Sequence, residues 1–152
     1  AVYPDFMNSA VRNWWGNNQK IMLDSGISGI WNDMNEPASF NGPLPDDVMF
    51  NDDGTPMMHK EAHNIYGHMM AKATYEGLKK ATGKRPFVVT RACYSGTQKY
   101  STVWTGDNQS TWEHLRMSLP MLMNLGLSGL AYCGTDVGGF GFDCTGELLS
   151  SK

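Results

Sequence analysis

Four short apolar runs, each leading into a charged residue, constrain the fold of this chain more than any other feature. After Ile30-Trp31 comes Asn32-Asp33, and after Val88-Val89-Thr90 comes Arg91. After Val103-Trp104-Thr105 comes Gly106-Asp107-Asn108, and after Ala131-Tyr132-Cys133 comes Gly134-Thr135-Asp136. Helical patterns separate the runs. Short apolar strands alternating with helices imply parallel strands covered on both faces, hence an α/β architecture. The carboxyl ends of parallel strands lie on one side. A doubly wound sheet collects ligands there only near its switch point. A TIM (β/α)₈ barrel aims every strand end into one mouth. Four consecutive charged ends therefore favour the barrel. A complete barrel takes about 250 residues, whereas this chain has 152 residues. The expectation is a partial TIM barrel of about four strands with their helices, with residues 1–152 lacking the first strands and the last ones.

The periodicity predicts a helix over 8–25, capped by Asn8 or Ser9, striped with Val11, Trp14, Trp15, Ile21 and Met22 and stopped at Gly26. A buried strand is expected over Ile27 to Trp31. Asn41 to Pro56 is rich in Asn, Gly, Pro and Asp and reads as a loop with a turn at Asp52-Asp53-Gly54. A long helix over 58–81 ends before Gly83. Strands follow at Phe87 to Thr90, Thr102 to Thr105 and Gly129 to Cys133. A helix over 110–125 carries Leu115, Leu119, Leu122 and Met123 on one side, with a kink or break expected at Pro120. A last helix starts near Thr145.

Composition narrows the partners. Aromatic residues are 11% of the chain, which excludes a disordered segment. No apolar run reaches the roughly 18 residues of a membrane span. A net charge of -3 gives no electrostatic case for nucleic acid. The first residues carry Asp5 and no basic start before an apolar run, unlike a signal peptide. Cys93, Cys133 and Cys144 are an odd number without paired spacing, which argues against a disulfide framework and for either simple core thiols or a reducing compartment, the cytoplasm being favoured. The 11 methionines suggest adaptable core filling. Five tryptophans would suit the apolar face of a sugar if exposed, although composition alone puts most of them in the core.

Two carboxylates, Asp33 and Asp107, and the guanidinium of Arg91 stand at the expected mouth. A pair of carboxylates across a pocket is the minimum equipment for glycoside hydrolysis. The competing explanation is that one of them is a helix N-cap, since Asp between a strand and a helix often is.

The surrounding residues carry a resemblance. Ile30-Trp31-Asn32-Asp33-Met34-Asn35-Glu36-Pro37 resembles the nucleophile signature of glycoside hydrolase family 31, the α-glucosidase family. Tyr3-Pro4-Asp5-Phe6 with Trp14-Trp15, and His63-Asn64 with Tyr66-Gly67, are similar to flanking family segments. Arg91 with Tyr94, Gly96 and Tyr100, then Trp104-Thr105-Gly106-Asp107-Asn108, resembles the acid/base segment. Trp112-Glu113-His114-Leu115, Asn124 to Gly129 and Gly134 to Phe140 continue in the family's order. Gln98-Lys99 departs from a Gly-Arg pair common in the family, and Ser151-Lys152 departs from its Arg-Trp.

The resemblance implies a fragment of a glycoside hydrolase catalytic barrel. It implies a retaining α-glucosidase that acts on terminal α-linked glucose by double displacement. Asp33 would be the nucleophile and Asp107 the general acid and base, their carboxyl groups about 5 to 5.5 Å apart. Arg91 would hydrogen-bond sugar hydroxyls. Trp31, Trp104 and Phe140 would line the pocket. Met34 would sit beside the nucleophile and contact the sugar or the next subsite, and Asp136 would support the floor or bind a hydroxyl. The implied partner is a small oligosaccharide, with neither cofactor nor metal, and the full-length protein has room to be a homo-oligomer. The alternatives are an α-transglucosylase or α-xylosidase of the same family, or a non-catalytic carbohydrate-binding module, which would tolerate loss of either aspartate.

Other features have plainer explanations. His59 and His63 are four apart on a helix, but Glu61 is out of place for His-Glu-x-x-His, so both read as surface or packing residues. Asp46-Asp47 and Asp52-Asp53 lack calcium-loop spacing. Asn108-Gln109-Ser110 is a formal glycosylation sequon that abuts Asp107 and reads as chance. Cys93 has no histidine near it in sequence, which argues against a thiol nucleophile.

Overall fold

The structure, a computed structural model, describes residues 2–151; Ala1 and Lys152 lie outside them. The chain divides into two compact units, with the boundary between Ser101 and Thr102.

The first unit opens with helix α1 (Ser9–Asn18), whose N-cap Asn8 accepts hydrogen bonds from the Ala10 and Val11 amides. The single helix expected over 8–25 is two. Gln19 donates its amide to Gly16 O, three residues back, at 3.3 Å, and a short α2 (Lys20–Asp24) restarts the turn. Asn17 and Asn18, weak helix formers whose side chains compete for backbone partners, precede the break. The expected stripe is only partly inward. Trp15 is half-buried and meets Phe6 edge-on at 5.2 Å, whereas Trp14, Ile21 and Met22 are exposed. Gly26 ends the segment with φ +87°.

Strand β1 (Gly29–Asn32) begins two residues later than expected. It pairs in parallel with β4 (Phe87–Thr90), in the register Gly29 to Phe87 through Asn32 to Thr90. It is not buried throughout: Gly29 and Ile30 are half-buried, Trp31 is 62% exposed and Asn32 only 1%.

The stretch expected as loop contains an antiparallel hairpin, β2 (Met49–Asp52) and β3 (Thr55–Met58). Asp53 and Gly54 at its tip have φ of +47° and +108°, the left-handed pair that a two-residue hairpin turn requires. The turn was legible but its flanks were too polar to read as strands. Phe50 anchors the hairpin, buried against Tyr66 and His59.

Helix α3 (His59–Thr82) matches its expected span within a residue and ends at Gly83 in the left-handed conformation. Phe6, Met7, Phe50, Ala62, Tyr66 and Ala73 form the core beneath it. Helices α1 and α3 touch backbone to backbone at Gly16 and Gly77, where a Cβ built on Gly77 would lie 2.3 Å from the Gly16 Cα. Beyond β4 lies a 3₁₀ turn at Thr97–Lys99.

The second unit pairs β5 (Thr102–Trp104) in parallel with β6 (Cys133–Gly134). Helix α4 (Trp112–Leu127) is capped by Thr111 and runs unbroken through Pro120, so the expected break does not occur. Pro120 forfeits one amide donor and crowds the carbonyl a turn earlier, but the other fifteen residues carry the helix past it. The strand expected over 129–133 shrinks to two residues because Gly129 (φ +86°) and Leu130 instead close the end of α4, Leu130 donating to Leu125 O at 2.9 Å. Helix α5 (Gly146–Ser150) starts after its cap, Thr145, as expected. The α/β reading therefore holds in both units.

Candidate active site

In the first unit, the ends of β1 and β4 are sewn together. The Arg91 amide donates to Asn32 O at 3.1 Å. Asn35, buried at 1% exposure, donates its Nδ2 to Thr90 Oγ1 at 2.8 Å. Its Oδ1 accepts from the Ala92 amide at 3.0 Å. Asn32 is equally buried and accepts from Thr74 Oγ1 on α3 at 3.1 Å. Between these fixed points the chain turns through Asp33-Met34-Asn35-Glu36. Met34 has φ +58°, a left-handed conformation uncommon for a residue with a Cβ. Helix α3 lies against this turn at Gly67, where an added Cβ would meet Asn35 O at 2.7 Å and the Ala92 Cβ at 2.6 Å.

The turn delivers three groups to one guanidinium. Arg91 Nη1 is 3.3 Å from Asp33 Oδ1. Its Nε donates to Glu36 Oε1 at 2.8 Å and its Nη2 to Glu36 Oε2 at 3.0 Å. The same Nη2 is 3.2 Å from Met34 Sδ. Among the described residues, Asp33 Oδ1 is buried yet accepts no hydrogen bond; its close partner is the guanidinium charge. The Arg91 guanidinium also holds the Glu36 carboxyl below the usual carboxylate range, against an opposing effect of burial, with a further small contribution from the charge of His63. Asp33, Met34 and Asn35 border a cavity of about 290 Å³ walled by Tyr3, Phe6, Trp15, Tyr66 and Met70.

In the second unit, the loops after β5 and β6 are laced together. Asn108 donates its Nδ2 to Thr135 Oγ1 at 2.7 Å, and Thr105 Oγ1 donates to Asn108 Oδ1 at 2.9 Å. The Phe140 and Gly141 amides both donate to Asn108 O, at 2.6 and 3.0 Å. Asp107 is exposed at the tip of the first loop, directly after Gly106 at φ +81°. Asp136 is half-buried on the second loop, with Phe140 exposed beside it and Trp104 half-buried at the end of β5.

The structure thus brings Asp33, Met34 and Arg91 together in one unit, and Trp104, Asp107, Asp136 and Phe140 onto adjoining segments of the other. Neither Asp33 nor Asp107 caps a helix; the caps of the α-helices are Asn8, Gln19, Met58, Thr111 and Thr145. Trp14, Trp31 and Trp112 are exposed, contrary to the core placement that composition favours. Sequence reasoning assigned no role to Glu36, Asn35 or Thr135. Glu36 stood three residues after Asp33 in the quoted motif, and that spacing was its only signal. His59 is buried, faces the carbonyls of Leu44 and Pro45, and bonds to His63 at 2.8 Å, so the pair packs the hairpin onto α3. Burial pushes the Cys93 thiol pKa up, which makes it a poor nucleophile. Among the described residues no group of three or more His, Cys, Asp or Glu side chains gathers to hold a metal.

The sequence profile of the Glycosyl hydrolases family 31 TIM-barrel domain matches residues 1–151. The chain belongs to glycoside hydrolase family 31. This family 31 chain is 58% identical over 153 residues to Alpha-glucosidase 2 of Bacillus thermoamyloliquefaciens, a match covering 99% of the chain and 19% of that protein. It is 44% identical over 154 residues to Neutral alpha-glucosidase AB of Homo sapiens, covering 98% and 16%. The crystal structure of the ER glucosidase II heterodimeric complex, of catalytic subunit and the binding domain of the regulatory subunit, matches it with a TM-score of 0.86. The identity there is 38%, over 95% of the family 31 chain and 16% of that one. The family 31 chain therefore spans less than a fifth of the length of these relatives.

Proposed function

We propose that this segment is the central part of the catalytic barrel of a retaining α-glucosidase, removing terminal α-linked glucose from oligosaccharides through a covalent glycosyl intermediate. The observation that carries the reading is the Asp33 carboxylate. One oxygen is buried, unclaimed by any hydrogen bond among the described residues, and 3.3 Å from a guanidinium. A carboxylate that must attack an anomeric carbon needs a lone pair not committed elsewhere and a countercharge that favours its ionised form. Asp107, exposed on the loop that follows β5, has the access that a general acid needs. The relatives, named as alpha-glucosidases, supply the substrate class. The family resemblance adds Arg91, Met34, Trp31, Trp104, Asp136 and Phe140 as the proposed sugar-contacting residues.

The test is the stereochemistry of hydrolysis by the full-length enzyme, followed by proton NMR on an α-glucoside. Double displacement releases α-glucose first. If β-glucose appears first, water attacks directly and Asp33 is not a nucleophile. Two substitutions separate the roles. Asp33→Asn is expected to abolish turnover with little change in melting temperature. Asp107→Asn is expected to slow substrates with poor leaving groups far more than activated aryl glucosides, since only the former need a proton. Equal losses on both would remove Asp107 as the acid.

A further inference from the structure

We infer that Glu36 is a positioning residue, which clamps the Arg91 guanidinium in the orientation that presents its remaining edge to Asp33. The inference rests on the nucleophilic reading of Asp33. A guanidinium is a flat fork of five N–H donors in fixed relation. Glu36 takes two of them side by side, Nε and Nη2, at 2.8 and 3.0 Å. Such a two-point pair fixes the plane of the fork as well as its position. With that edge occupied, Nη1 is the nitrogen left near Asp33, and it lies 3.3 Å from Oδ1.

A surface ion pair contributes little and holds nothing still. This one differs. The Arg91 side chain is 19% exposed and that of Glu36 38%, the contact has two points, and both partners stem from backbone that is itself tied down. The Asn35 latch binds the turn to Thr90 and Ala92, on either side of Arg91. The Ala38 amide closes the turn by donating to Met34 O at 3.0 Å. Asp33 and Glu36 are thereby held three residues apart facing one cation.

The test uses the full-length enzyme on an α-glucoside. Glu36→Gln replaces one acceptor by an NH₂ that faces donors. We expect kcat to fall by about tenfold to a hundredfold, the scale of a small misplacement in an active site, with KM changed by less than about threefold and the melting temperature retained. Glu36→Asp, which keeps the charge but is one methylene short, should fall in between, and serves if the Gln variant does not fold. The decisive readout is a double-mutant cycle with Arg91→Lys. If Glu36 acts through Arg91, the double variant is no slower than Arg91→Lys alone. Losses that multiply would overturn the inference, as would a Glu36→Gln enzyme with unchanged kcat. Failure of the glucosidase reading looks different: the wild type would not cleave α-glucosides, or Asp33→Asn would leave turnover intact.

Discussion

Asp33 and Glu36 face the same guanidinium, yet only one of them offers it both oxygens. That division has a pH signature. The hydrogen bonds from Arg91 hold the Glu36 carboxyl below the usual range in the folded protein, while in the unfolded chain it titrates near its ordinary value of about 4.3. A carboxyl with a depressed folded pKa contributes stability above its unfolded value and loses it as pH falls through the folded one. The melting temperatures of wild type and Glu36→Gln should therefore differ by a constant amount from pH 7 to pH 5 and converge below about pH 4.3. A gap that closes already at pH 6 would point to another group. The sequence announced the neighbourhood of Asp33 and Arg91, because each follows an apolar run at a strand end. It could not announce the clamp. A glutamate in a turn looks the same whether it points to solvent or back across the sheet, and only the Asn35 latch and the left-handed Met34 decide which.

At the scale of elements, legibility followed the strength of the apolar pattern. Helix α3 and strand β4 fell within a residue of expectation because each is bounded by a Gly or Pro and carries a clear period. Strand β1 slid by two residues, and the hairpin was missed, because Phe50 is the one fully buried residue in its two strands and leaves no apolar period to read. The contact of α1 with α3 was equally hidden. Nothing local distinguishes Gly16 and Gly77 from Gly126 in α4, yet the first two touch one another and the last has no heavy atom within 4 Å of a built Cβ. Alanine is favoured over glycine inside a helix by about 0.5–1 kcal/mol, whereas forcing an extra carbon into a packed contact costs about 1–3 kcal/mol. Gly126→Ala should therefore raise the denaturation midpoint and Gly77→Ala should lower it. If both variants shift in the same direction, the helices are not in backbone contact.

For the whole molecule, the charged strand ends were the informative pattern, since they separated a barrel from a doubly wound sheet before any family was considered. What the sequence could not show is how much apolar surface would remain uncovered. Leu119, Met123 and Leu127 on α4 are 60, 64 and 88% exposed, and the family relatives are more than five times longer than the chain. The 152-residue chain on its own should accordingly bind a hydrophobic dye strongly and show no α-glucosidase turnover; activity comparable to a full-length relative would mean that the site needs nothing beyond these residues. The hairpin at 49–58 leads to a different kind of conclusion. Its tip is fastened at two places, the Ser9 amide donating to Asp53 Oδ1 at 2.6 Å and the Asn51 amide to Asp5 Oδ2 at 2.6 Å. A polar, turn-rich stretch is where one looks first for insertions and deletions between homologues. Here the tip is a fixed rung, and tolerance for added or lost residues belongs instead to the stretch that leads up to it, between Asn41 and Asp47.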